Sequence, residues 1–345
     1  MRPGDDATRA GVMELWHLCF GDTREFIRFY FNAKYRAGNT FVHRDARGTI
    51  VAALQMVPYR MTYAGRTVAI SYLSGACTRP ERRGEGIMSR LLTGALLEMQ
   101  ARGVALCALI PGEERLFHYY GRMGFVPVFD YRAVEWTGDG EGAAREVGPG
   151  DEAMEAVYRY FQARMLERGC CVQHDREDFS AIVEELLASG GALPVAFTAA
   201  GAVEGVAFAV PVEDRVVVKE HACDSPAARR ALSRALSGRW PGRRQEWREV
   251  PLAGPVVHHG MARVTDAGAL LRAYAAHYPG ERQTIRVTDA LLPANDGRFE
   301  IRGGRCRRAG RSAGAADAGV DAGELTRRLL TRFPGHPPHM SLMLE

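Results

Sequence analysis

The sequence predicts an α+β chain of mixed sheets, in which one strand–helix pattern occurs twice and a further α+β segment follows. Two observations lead there. Strand-like runs and helical stretches follow the order β-β-β-α-β over residues 40–110, and the same order returns over residues 194–250. Between them, residues 138–150 are rich in Gly, Asp and Glu, which suits a linker. The expected domains are therefore residues 1–137, 138–254 and 255–345.

The first segment opens with a helix-like stretch over residues 12–20. Asp22-Thr23-Arg24-Glu25 offers an N-cap and a carboxylate three residues on, which predicts a capping box at the start of a second helix, residues 25–35. That helix is rich in aromatics (Phe26, Phe29, Tyr30, Phe31). Strands are predicted at Thr40–Arg44, 50–62 and 67–78, with turns at 45–48 and 63–66. An amphipathic helix runs from about Gly86 to Arg102. Its residues Ile87, Leu91, Leu92, Leu96 and Met99 recur at helical spacing, and Gly103 ends it. The continuous apolar run 104–110 predicts a strand buried on both faces, hence a parallel crossover. A helix over residues 114–123 closes at Gly124.

The second segment predicts helices at 151–168 and Arg176–Ala188 and strands at 194–198, 204–212 and Arg215–Cys223. A helix at 226–236 and a strand at 246–250 complete the copy. No glycine-rich turn separates Cys223 from its helix, so this copy is not expected to bind what the first one binds there. In the last segment Asp266 caps a helix ending near Tyr278, and a strand over 283–288 follows. Asn295-Asp296-Gly297 leading into 298–302 is a short hairpin signal. Residues 309–323 read as a loop and 324–333 as a last helix, after which Pro334-Gly335-His336-Pro337-Pro338 cannot be helical. The apolar stretch 340–344 is expected to dock on the protein.

Composition narrows the function. A hydrophobic share of 46% and a charged share of 25% over 345 residues are ordinary for a soluble globular protein. No apolar run approaches the ~20 residues of a membrane span. Nothing behind Met1-Arg2-Pro3-Gly4 resembles a secretory signal, so the cytoplasm is the expected location. A formal charge of +4 does not argue for nucleic acid, and the basic stretch 302–311 reads as a solvated loop. The lysines are Lys34 and Lys219 alone; the arginine excess reads either as phosphate-gripping forks or as coding bias, the latter favoured by the abundant Ala and Gly. The seven cysteines form no C-x-x-C pair, and neither Cys170-Cys171 nor His258-His259 has metal-ligand spacing. No metal is expected.

The most specific signal is Ser74-Gly75-Ala76-Cys77-Thr78-Arg79-Pro80-Glu81-Arg82-Arg83-Gly84-Glu85-Gly86-Ile87-Met88. A strand ends, a turn follows and a helix begins, with glycines where a backbone must approach a ligand closely. A helix N-terminus offers unsatisfied N–H groups and partial positive charge, which suits a pyrophosphate, and Arg82 and Arg83 add cations. The plainer reading is a glycine turn joining a strand to a helix. There is no Gly-Lys-Ser/Thr for a nucleoside triphosphate, and Ser89 stands where a dinucleotide loop has its third glycine.

Arg83-x-x-Gly86-x-Met88 after such a strand resembles the coenzyme A pyrophosphate loop of the GNAT acetyltransferase superfamily. Phe117-His118-Tyr119-Tyr120-Gly121-Arg122-Met123-Gly124-Phe125 is similar to the superfamily's Tyr-x-x-x-Gly-Phe/Tyr segment. Met88 departs from the usual Gly/Ala, as in the enhanced-intracellular-survival (Eis) type. The resemblance spans the chain: tandem GNAT folds, the second degenerate, then a sterol-carrier-like α+β domain centred on Arg286-Val287-Thr288-Asp289 and Asn295-Asp296-Gly297.

The resemblance implies an acetyl-CoA-dependent N-acetyltransferase acting by direct attack on a primary amine of a small molecule or peptide. It places acetyl-CoA on Ala76, Cys77, Thr78, Arg83, Gly84, Glu85, Gly86, Ile87 and Met88, with a backbone N–H near residues 76–78 for the oxyanion. Tyr120 becomes the general acid, Tyr119 a structural neighbour, and the main-chain carboxylate of Glu345 the base. Eis-type relatives often form rings, so the resemblance also admits a homo-oligomer. Asp22, Glu25, Phe29 and Tyr30 read either as an acceptor pocket or as a helix cap and core face. The competing function is a module that holds acyl-CoA or lipid without turnover.

Overall fold

The computed structural model describes residues 8–136, 143–310, 318–333, 335 and 337–344. In chain order the first elements are α1 (Arg9–Phe20), α2 (Arg24–Lys34), β1 (Thr40–Arg44), β2 (Ile50–Tyr63), β3 (Arg66–Thr78), α3 (Ile87–Ala101), β4 (Leu106–Leu109), α4 (Glu114–Gly121) and β5 (Val126–Glu135). Then come β6 (Ala144–Glu146), α5 (Met154–Leu166), β7 (Cys170–Gln173), α6 (Arg176–Ala188), β8 (Pro194–Phe197), β9 (Val203–Val212), β10 (Arg215–Cys223), α7 (Pro226–Arg239) and β11 (Arg244–Glu249). The last are β12 (Val257–Val264), α8 (Ala267–His277), β13 (Arg282–Thr288), β14 (Gly297–Arg302), β15 (Arg305–Arg308), β16 (Ala318–Asp321) and α9 (Ala322–Leu330). They divide into two compact units, Met1–Val128 with His259–Arg332, and Phe129–His258 with Phe333–Glu345.

In the first unit the strands run β1-β2-β3-β4-β12. β3 and β4 are parallel, as the crossover through α3 requires, while β1–β2, β2–β3 and β4–β12 are antiparallel. One face of this sheet packs on α3: Leu54, Met56, Leu73, Cys107 and Leu109 meet Ile87, Leu91, Leu92, Ala95, Leu96 and Met99. The other carries α1 and α2, whose Trp16, Tyr30 and Phe31 rings meet in tilted and edge-on contacts with centroids 4.7–5.9 Å apart. The same unit holds a second sheet, β15-β14-β13-β16, with α8 and α9.

The second unit repeats the plan. Its strands run β5-β11-β10-β9-β8-β6, with β10 and β11 parallel and α7 between them in sequence. The C-terminal tail belongs here: His339 bridges Cys171 in parallel, the Val172 N–H donates to His339 O at 3.0 Å, and Leu342 enters the core of Phe161, Phe179 and Phe208.

Three local expectations change. The α2 cap is Thr23, whose hydroxyl accepts the Phe26 N–H at 3.2 Å, so Glu25 is one position short of a capping box. Asp22 instead accepts the Trp16 indole N–H at 2.6 Å. Asn295-Asp296-Gly297 does not close a tight hairpin, because the Asn295 side chain turns inward, donating to Asp289 and accepting from the Ala267 N–H at 2.9 Å each. The tight turn is Gly303-Gly304, where Arg302 faces Arg305. Strands β5, β6, β7, β12, β15 and β16 carry no clear period-two pattern and escaped the sequence reading.

Candidate active site

The site begins where β3 parts from β4. Their pairing runs only from Ile70 with Leu106 to Tyr72 with Ala108, yet β3 continues to Thr78 along β2. Residues 73–78 thus keep one backbone edge clear of β4, facing the wedge between the two strands. Peptide N–H and C=O groups along such an edge can pair with an extended amide-bearing ligand.

Gly75 in this segment has φ 59°, and a Cβ there would lie 2.3 Å from the Trp16 ring. The absent side chain lets α1 lie directly on β3. Ala76 and Thr78 are half-buried and Cys77 is buried, so the predicted oxyanion segment is held by packing on both sides.

Beyond Thr78 a single 3₁₀ turn, Pro80–Arg82, leads to Gly84 and Gly86, with φ of 85° and 71°. Gly86 caps α3 without a side chain, so the first-turn N–H groups of Ile87, Met88 and Ser89 face outward with no side-chain cap. Nothing lies within 4 Å of where a Gly84 Cβ would stand, which leaves a cradle open to an anion. The Ile87 side chain is buried in the α3 core, and Met88 packs on the same core from its edge. These two therefore offer backbone rather than side chain.

The charges divide unevenly. Arg82 and Glu85 form a two-pronged pair at 2.6 and 2.7 Å, which ties up both the Arg82 cation and the Glu85 carboxylate. The expected cationic role thus falls to Arg83, exposed, with its Nε donating to Thr78 O at 3.2 Å. Arg90, which sequence reading passed over, donates to Glu85 O at 3.0 Å and stands one turn into α3.

Tyr120 comes from the last turn of α4 and is buried in the α3 cluster, between Tyr119 and Phe125 with ring centroids at 5.2 and 5.7 Å. Burial pushes its phenol well above the usual value near 10, and the neighbouring Tyr119, Cys107 and Cys77 add to the shift. Tyr119 points elsewhere, its hydroxyl 3.1 Å from Ser89 Oγ, and ties α4 to the first turn of α3. His118 is exposed. Glu345 lies outside the described residues.

On the opposite face, Tyr30 donates to Ser74 Oγ at 2.6 Å, so it is a bonded core residue. Gln55, across the strand from Ser74, is 2% exposed, and neither atom of its amide has a hydrogen-bond partner among the described residues. A buried unpaired amide costs about 1–3 kcal/mol. It is the feature the sequence least announced, since a glutamine in a strand of Val, Ala and Leu carries no motif.

The acetyltransferase (GNAT) domain family matches residues 1–128, and the sterol carrier protein domain family matches residues 268–333. No curated protein matches the chain. Among solved structures, a GCN5-related N-acetyltransferase from Anabaena variabilis is 15% identical, covering 98% of both chains at a TM-score of 0.75. One from Kribbella flavida is 18% identical, with 98% of both chains covered and a TM-score of 0.73. Eis1 from Mycobacterium abscessus is 16% identical over 95% of this chain and 88% of its own, at a TM-score of 0.70. The chain thus joins a region that matches the acetyltransferase (GNAT) domain family to one that matches the sterol carrier protein domain family, on a fold similar to that of these acetyltransferases.

Proposed function

We propose that the chain transfers the acetyl group of acetyl-CoA to a primary amine, with the site built on residues 73–90 and Tyr120. The observation that carries this is the continuity of four features. An open strand edge leads through a glycine turn into an uncapped helix N-terminus, and a buried tyrosine stands against the same core.

Acetyl-CoA would bring an activated thioester carbonyl. In this reading the N–H groups at the start of α3, with Arg83, hold its pyrophosphate, and the free edge of residues 73–78 receives its amide-bearing arm. A backbone N–H at residues 76–78 accepts the charge that develops on the carbonyl oxygen as the amine attacks. Collapse expels the thiolate. Tyr120 stays protonated throughout the working pH range because burial raises its pKa. Giving up that proton to a thiol of pKa ~8.5 is uphill, so the hydroxyl acts first by donating a hydrogen bond to the sulfur as charge builds there. The attacking nitrogen must lose a proton, and the resemblance assigns this base to Glu345. The Gln55 amide, with Ser74 and Tyr30 beside it, supplies the polar group we assign to the acceptor's side of β3.

Titration calorimetry with acetyl-CoA tests the binding half. Wild type is expected to bind, and Gly86→Val to weaken binding at least about ten-fold, by strain at positive φ and by blocking the cradle. Equal affinity in the two proteins would place the coenzyme elsewhere. Removal of Glu345 tests the base: turnover is expected to fall, and unchanged turnover would end that assignment.

A further inference from the structure

Cys19 and Cys77 are 58 positions apart in sequence, and the fold brings them together. Trp16 seats α1 on Gly75 of β3. Cys19 follows Trp16 by three residues, one turn along the same helix face, and Cys77 follows Gly75 by two along the strand. Both side chains therefore lie between α1 and β3, Cys77 buried and Cys19 partly exposed. Cys19 Sγ donates to Thr78 O at 3.5 Å, the carbonyl next to Cys77 that also accepts from Arg83 Nε at 3.2 Å.

We propose that Cys19 and Cys77 form a thiol–disulfide exchange site, in which Cys19 attacks a small-molecule disulfide and Cys77 resolves the adduct into a Cys19–Cys77 bond. This goes beyond acetyl transfer and does not depend on it. In the first step the Cys19 thiolate bonds to one sulfur of R–S–S–R, the S–S bond breaks and RS⁻ leaves. In the second, the Cys77 thiol passes its proton to that RS⁻, its sulfur bonds to Cys19 Sγ, and the second RS⁻ leaves to be protonated by solvent. Two cysteines lose two electrons, and one small disulfide is reduced to two thiols.

The roles follow from position. Cys19 is partly exposed at the end of α1, whereas Cys77 is buried behind it, so an incoming disulfide meets Cys19 first. The neighbouring Cys77 thiol lowers the Cys19 pKa to about 7; burial opposes this, and the positive charges of Arg83 and Arg79 assist. Lowered in this way, Cys19 carries more thiolate near neutrality than an ordinary cysteine, which favours exchange. Cys223 and Cys306 are also partly exposed, but burial holds them up at about 12 and about 11. The result of closure is a covalent tie between α1 and the acyl-binding strand.

The test uses the full reduced chain, exposed separately to oxidised glutathione and to the disulfide of coenzyme A, with peptide mapping over time. Wild type is expected to lose two thiols and yield a linked Cys19–Cys77 peptide. Cys77→Ser is expected to stop at a stable mixed disulfide on Cys19, and Cys19→Ser to react at least about ten-fold more slowly. A wild-type first adduct on Cys223 or Cys306, or Cys77→Ser carrying nothing on Cys19, would overturn the proposal; the wild-type map needs no variant to fold. A higher rate with the coenzyme disulfide names the coenzyme loop as the delivery point, whereas equal rates name any small disulfide, and the linked peptide supports the couple in both arms.

Discussion

Single residues of this site do work that their sequence neighbourhood only partly reveals. The Arg83–Gly86 turn before a helix and the place of Tyr120 late in another helix were legible, because both rest on short spacings that survive in sequence. The unpaired Gln55 amide and the approach of Cys19 to β3 were not, because each exists only once strands and helices are packed. Gln55→Leu should leave the melting temperature unchanged or raised, since an unpaired amide leaves the core. If Gln55 faces the acceptor, the same variant raises the KM for the amine about ten-fold with kcat less affected, and steady-state kinetics with the best amine decide it. Gly75→Ala should destabilise by about 2–4 kcal/mol, since Ala is strained at φ 59° and its Cβ would meet Trp16 at 2.3 Å; chemical denaturation measures it. Tyr30 and Tyr120 both have phenols raised by burial. In the unfolded chain they ionise near pH 10, so stability is complete below that pH and falls as the pH climbs past it. A pH series of melting temperatures without an alkaline decline would remove the burial argument.

Elements with a strong period were legible almost to the residue. β1, α6 and β10 begin and end where pattern alone puts them, and α3 differs by one residue at each end. The missed strands are short or polar: β6 reads Ala-Arg-Glu and β15 Arg-Cys-Arg-Arg, which no hydrophobic alternation marks. The docking of the tail was foreseen from its apolar residues, but not the buried hydrogen bond that anchors it. Glu220, 4% exposed, bonds His339 at 2.5 Å. Burial alone would raise the Glu220 pKa; the charge and hydrogen bond of His339, with Arg168, outweigh it and bring the group to about 2. A carboxylate lowered in this way stabilises the fold above its unfolded pKa of about 4.3 and loses that contribution as pH falls through about 2. His339→Ala strands a buried carboxylate and should cost about 3–5 kcal/mol. Limited proteolysis should then cut the tail, and an uncut tail with unchanged stability would show that the pair contributes nothing.

At the level of the whole molecule, the duplicated β-β-β-α-β plan could be read because each copy is local in sequence. What escaped is non-local. β12 completes the first unit's sheet beside β4, some 150 residues away in the chain, and no local pattern announces such a partner. Among the described residues no helix is long and apolar enough to cross a membrane. The two copies also differ at the junction of strand and helix. The first joins its strand to its helix through Gly84 and Gly86, whereas the second does so through Asp224 and Ser225, whose hydroxyl accepts the Ala228 N–H at 3.0 Å and fills the helix end itself. A ligand that needs a bare helix N-terminus is therefore expected at the first copy. The most direct measurement is release of free thiol from acetyl-CoA against a panel of primary amines, for wild type and Tyr120→Phe. The account predicts amine-dependent release that falls about 10²-fold or more in the variant, with little change in the KM for acetyl-CoA. Amine-dependent release at an unchanged rate in Tyr120→Phe would contradict the role of Tyr120, and absence of release with every amine would contradict the proposed transfer itself.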